Sequence, residues 1–289
     1  KVAAGGLNIK DASLRTSTPG SVLLSAEEGN VDSNNKTSID SAGSLEVDAA
    51  GKVDLSGAKV EYSEVGVLRL VAGSTDSDAL KVFAHENNTF KGAEVVLDSA
   101  GGLIFADEAP ITVEASSGKA VLKGQKIDLK SGSSVKAAGE ATVRGYDSLV
   151  LGDNISVGSS SVSITGGQQA FSLGNNVSLT ATNGGIEVLA DADATLGGSL
   201  NVNASLKDPS AGDEAPIRIG AQGVLNVTED KFEVIAENGS VDIFGGNRLN
   251  IKNDLTIISA SDSSLTSENG LIDIGNKATV KAGTQSGLD

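Results

Sequence analysis

Residues able to carry acid, base, nucleophilic or metal chemistry are few and scattered in this chain. His85 is its single histidine. Its neighbours Glu86, Asn87 and Asn88 interrupt the surrounding alternation of apolar residues, so it reads as an exposed loop residue, and an imidazole without an orienting partner makes a poor general base. Carboxylates are abundant. Glu46, Asp48, Asp54, Asp128, Glu187, Asp242 and Asp273 each stand between apolar residues in short alternating stretches, and cleavage of a glycosidic bond needs only two such groups at the right separation. A dispersed acidic surface also serves solubility and protects sheet edges. The aromatic platforms common in sugar clefts are scarce: the chain holds 6 Phe, 2 Tyr and no Trp.

Asp76 and Asp78, in Ser-Thr-Asp-Ser-Asp, offer oxygen atoms of the kind calcium takes. They lack the spacing of an EF-hand loop or a Gly-Gly-x-Gly-x-Asp repeat, and they read as a solvated turn. Gly245-Gly246-Asn247 lacks the following Lys-Ser/Thr of a phosphate loop. The pentapeptide Asp-Glu-Ala-Pro-Ile occurs at Asp107 and again at Asp213. Pro110 and Pro216 there suit the opening of a strand, where a missing N–H is tolerated. Seven Asn-x-Ser/Thr sequons, at Asn35, Asn87, Asn154, Asn176, Asn203, Asn226 and Asn238, are candidate glycosylation acceptors if the chain is exported through a glycosylating route. No catalytic, cofactor-binding or metal-binding residue is assigned.

The elements that would position these groups follow from an internal repeat. SLVLGDNISVGS from Ser148 aligns with AFSLGNNVSLTA from Ala170 and with ATLGGSLNV from Ala194, and their Leu-Gly pairs stand at Leu151, Leu173 and Leu196, at spacings of 22 and 23. Apolar-x-apolar pairs starting at Leu103, Ile127, Leu149, Phe171, Ala194, Ile217, Val241 and Ile272 extend the series, with spacings of 24, 22, 22, 23, 23, 24 and 31. The last step implies an insertion between Gly246 and Gly270. Further pairs between these units, such as Val162-x-Ile164, Ile186-x-Val188 and Phe232-x-Val234, give three short strands per repeat.

Alternation over three or four positions followed by a turn suits a coil better than a hairpin meander. The expected fold is therefore all-β: a single-stranded, right-handed parallel β-helix of about 22–24 residues per coil, in which inward apolar residues stack into columns. Gly152-Asp153-Asn154 and Gly174-Asn175-Asn176 are expected corners, where positive φ is cheap. About twelve turns at ~4.8 Å would make a rod about 60 Å long. One domain is expected over residues 1–289, with loop excursions near 76–92 and 207–215.

Runs such as GSLEVDAAGKVDLSG from Gly43 and NGGIEVLADADATLGGSLNVNAS from Asn183 resemble the haemagglutinin-type repeats of filamentous-haemagglutinin-like exoproteins and autotransporter passengers. That resemblance implies export, a right-handed β-helix, and a role in adhesion or surface display.

Composition bounds the rest. A net charge of −16 without a basic stripe argues against nucleic acid and anionic membrane surfaces. No apolar run is long enough for a membrane-spanning helix. With no Cys, the fold needs no disulfides. A start at Lys1-Val2-Ala3 fits a processed or excised chain. The expectation is a non-enzymatic, secreted or cell-surface structural protein. It would be an adhesin segment that meets a host-surface or matrix glycan or protein receptor, or a subunit that self-associates through its solenoid ends into a filament or layer. A viral tail fibre or spike stalk, and a polysaccharide lyase or hydrolase on the same scaffold, are the alternatives.

Overall fold

The computed structural model describes residues 2–17, 20–84, 88–105, 109–206, 214–228, 231–252, 254–275 and 277–283. They form parallel strands stacked as β-solenoid coils, about eleven turns in all, slightly fewer than the twelve expected. Strand contacts group the chain into two compact units, Lys1–Ile127 with Val135–Val143, and Asp128–Ser134 with Arg144–Asp289.

In the first unit each coil carries three strands, one per face. The first face stacks Val2–Ala4, Val22–Ala26, Leu45–Ala49, Val67–Ala72 and Glu94–Ser99 in parallel. Its inward residues form a continuous column, Leu24 on Val47 on Leu70 on Leu97 on Leu122, every member buried. The second face stacks Leu7–Asn8, Val31–Asp32, Val53–Asp54, Leu80–Val82 and Leu103–Phe105. The third begins with Ser13–Arg15, Ser38–Ser41 and Lys59–Tyr62, and among the described residues this sheet stops there. A second sheet starts at Thr89–Gly92 and continues with Thr112–Ala115.

The break coincides with a lengthened coil: Leu45 pairs with Leu68, but the next partner in that column is not reached until Val95. The phenol of Tyr62 bridges it. Its oxygen accepts the Lys91 N–H at 3.1 Å, and its ring opens an aromatic run through Phe83, Phe90 and Phe105 with centroids 5.7–6.2 Å apart. Half of the chain's eight aromatic residues thus fill the place where backbone pairing lapses.

The second unit repeats the plan. Its third face is the most regular, with Ser156–Ser159, Ser178–Ala181, Leu200–Ala204, Lys231–Ala236, Asp254–Ser259 and Ala278–Ala282. Here Leu179, Val202, Val234 and Ile257 stack in register, all fully buried. On this face serine replaces alanine at two strand ends, where the Ser159 and Ser259 hydroxyls donate to the carbonyls of Ser161 and Ser261.

The corners follow one device. Gly132, Asn154, Asn176 and Ser199 all have φ between 54° and 84°, one such residue to each successive coil. Asn and Gly enter this left-handed region at little cost, which explains their recurrence. The corner side chains link coils: Asp153 N–H donates to Ser131 Oγ, Asn175 N–H to Asp153 Oδ1, and Gly198 N–H to Asn175 Oδ1, at 2.7–3.0 Å.

One expected column is wrong. Leu149, Phe171 and Ala194 do share the second face, but the next residue above Ala194 there is Leu225, followed by Leu249 and Ile272. Ile217 and Val241 belong to the first face, above Ile186. The extra residues therefore lie between Ala204 and Ile217. The stretch from Gly246 to Gly270 holds no insertion, since Val241 pairs with Ser263 and Leu249 with Ile272 at the ordinary length of a coil.

Stacking makes each inward residue a test of the fold. Leu179→Ala leaves a cavity in a fully enclosed column and is expected to cost about 2–5 kcal/mol in urea unfolding. Val65→Ala, at a position 82% exposed, is expected to stay within about 0.5 kcal/mol.

Candidate functional site

The densest cluster of charged groups in the described residues lies on the second face of the first unit. Lys52 Nζ stands 3.0 Å from Asp76 and 2.6 Å from Asp78, and Lys81 Nζ stands 3.2 Å from Asp78 and 3.4 Å from Asp54. Three carboxylates and two ammonium groups alternate along it. The backbone sets the cluster: Val53–Asp54 and Leu80–Val82 are adjacent rungs, Lys81 directly over Asp54, and the turn at 76–79 is pinned by Gly102 N–H and Ala79 N–H donating to the Asp76 carbonyl.

Asp76 and Asp78 do lie in a turn, as read above, Asp76 exposed and Asp78 half-exposed, and there they serve as coil-to-coil ion-pair partners of Lys52. Hydrogen bonds from Lys52, above all, hold both carboxyls below the ordinary aspartate range. Asp78 in turn raises both lysines. Sequence reading missed the pairs because a whole coil of chain separates Lys52 from Asp76 and Asp78, and Asp54 from Lys81. A search for opposite charges one coil apart would have found them.

That pattern recurs. Of the fourteen ion pairs among the described residues, ten join side chains one coil apart. The outward carboxylates take part: Asp54 meets Lys81, Asp242 meets Arg218 and Asp273 meets Arg248, while Asp128 pairs within its own coil with Lys130. Glu187 sits one rung from Arg218, which also lies 5.5 Å over the Phe244 ring. Glu46 and Asp48 face outward on the first face. These groups are spread over several rungs and two faces.

The sequons divide by surroundings. Asn35, Asn154 and Asn176 are exposed at corners, although Asn176 Nδ2 donates to Asn154 Oδ1 at 3.2 Å. Asn203, Asn226 and Asn238 are half-buried. Asn226 Oδ1 accepts from Asn250 Nδ2, and Asn238 Oδ1 from the Leu206 N–H. His85 and Asn87 lie outside the described residues, as do Asp107 and Asp213. The two Asp-Glu-Ala-Pro-Ile copies lead into different faces, the third and the first. The Pro216 carbonyl accepts the Ile186 N–H at the entry to the first-face strand.

A cleft of about 270 Å³ is lined by Arg248, Asn250, Ile251, Lys252, Asp273 and Gly275. Two of these lining residues, Arg248 and Asp273, are paired at 3.5 Å. The Tyr62 hydroxyl, pushed up to about 12 mainly by desolvation, belongs to the interior aromatic run. Among the described residues no three His, Cys, Asp or Glu side chains come together as a metal-binding group, and no helix is long and apolar enough to cross a membrane. No protein-family model, curated protein or solved structure matches the chain.

The network gives a pH signature. The folded pKa values of Asp76 and Asp78 lie below the ordinary 3.8, so their contribution is complete above that value and is lost as pH falls through the folded pKa values. Lys52→Gln is expected to lower Tm by roughly 1–3 °C at pH 7. That gap should narrow as pH falls below 3.8 through the lowered folded pKa values. A gap constant from pH 7 to pH 2 would contradict the assignment.

Proposed function

We propose that this chain is a non-enzymatic structural or adhesive segment of an extracellular or cell-surface protein. The observation that supports the reading is the use made of its charged groups. Acid–base catalysis converges titratable side chains on one cleft with their pKa values driven apart. Here the carboxylates and ammonium groups are spent pairwise between successive coils, beside corner amides that do the same. Such an exterior stiffens the stack and leaves long outward faces to meet a glycan or protein partner.

The style of repeat supports export, as the resemblance to haemagglutinin-type exoproteins implies. Immunogold electron microscopy of the native source, combined with protease treatment of intact cells, tests the location. Label on the outer surface that protease removes is the expected result, and label confined to the cell interior would overturn it. Incubation with acidic polysaccharides tests the chemistry. Unchanged chain length is expected, and shortened products would show an enzyme instead.

A further inference from the structure

Three Asn-Gly pairs occur in the chain, Asn183-Gly184, Asn238-Gly239 and Asn269-Gly270, and the fold holds them differently. An asparagine amide is most open to attack by the next backbone nitrogen when glycine follows, because glycine has no Cβ to shield that nitrogen or restrict its peptide. The attack also needs an amide able to turn its carbonyl carbon toward the nitrogen, and a peptide with room to follow. Asn238 has neither. Its Oδ1 accepts the Leu206 N–H at 2.9 Å, and Gly239 is buried so tightly that a Cβ there would stand 2.6 Å from the Ala215 carbonyl oxygen. Asn269 Nδ2 donates to the Gly246 carbonyl at 3.3 Å. Asn183 is exposed, and its side-chain amide makes no hydrogen bond among the described residues. Gly184 is half-buried, and the nearest atom to a Cβ there belongs to the Ser161 side chain, at 3.1 Å.

We infer that Asn183 is a site of spontaneous deamidation, left reactive by the folded chain while Asn238 is protected. The Gly184 nitrogen gives up its proton and forms a bond to Asn183 Cγ, the bond from Cγ to Nδ2 breaks, and ammonia leaves with that proton, closing a succinimide. Water then opens the ring at one carbonyl or the other, so that residue 183 becomes aspartate or isoaspartate. No oxidant, metal or enzyme takes part. Either product adds one negative charge to a chain already at −16. Isoaspartate also reroutes the main chain through Cβ, which lengthens the corner between the third-face strand Ser178–Ala181 and the first-face strand Ile186–Ala190. At that corner the Asn183 N–H donates to the Ser160 carbonyl of the preceding coil at 3.0 Å, and the Asn183 backbone bridges to Leu206 of the following one. The modification therefore falls where three successive coils are joined. The inference does not rest on the structural or adhesive reading and holds wherever the protein is located.

Ageing the folded full chain in warm, mildly alkaline buffer tests it, with peptide mapping by mass spectrometry to follow each amide and isoelectric focusing to follow the whole chain. Residue 183 is expected to lose its amide at least about tenfold faster than residue 238, whose hydrogen bond must break before its amide can turn. In urea, where both pairs are released from the fold, the two rates should converge. Asn183→Gln, at an exposed position, should remove the first acidic band to appear. A folded chain in which Asn238 converts as fast as Asn183 would overturn the inference. So would an Asn183 amide that survives folded ageing but is lost in urea, or a difference between the two sites that urea leaves unchanged.

Discussion

Register between successive coils is the constraint on which the rest of this structure depends. Each strand is short and could not persist alone, but hydrogen bonding to the rung above and below fixes it, and inward side chains then meet their own kind one coil away. Shifting a strand by a single position would turn its apolar set to solvent and its polar set inward. The outward features are consequences of the same alignment. Lys81 reaches Asp54 because they are register partners, and Asn250 reaches Asn226 for the same reason.

Much of this was legible in the sequence, because the inward and outward sets differ in chemistry. The length of the ordinary coil, the three strands that each coil carries, and the corners at Asn154 and Asn176 all rest on local patterns that the structure keeps. Identity of face was harder to read. All three faces present apolar-x-apolar pairs, so nothing local distinguishes Ile217, on the first face, from a second-face residue. The step from Ala194 to Ile217 imitates an ordinary coil, whereas the true coil runs from Ala194 to Leu225 and is lengthened between Ala204 and Ile217. The displaced column then required an insertion further on that the structure does not contain.

The charged cluster was illegible for a related reason. Asp76 and Asp78 sit in a turn whose partners are set by register rather than by neighbours in sequence, and register in that stretch is disturbed by the long coil between Leu68 and Val95. Tyr62 and Phe90 illustrate the compensation: where the third-face ladder lapses, bulky rings fill the interior and a phenol oxygen takes the N–H that a carbonyl would otherwise accept. The outer surface thus reads as stitching between coils.

The most direct test of the register uses the absence of cysteine from the chain. In the structure Thr195 and Asn226 are partners on adjacent rungs, so cysteines placed at both stand about 4.8 Å apart between Cα atoms, within disulfide reach. Arg218 lies at the distance in sequence that a uniform repeat would choose, yet it belongs to another face. Oxidation should cross-link Thr195→Cys with Asn226→Cys readily and leave Thr195→Cys with Arg218→Cys reduced within the folded monomer. Cross-linking of the second pair in preference to the first would contradict the stacking described.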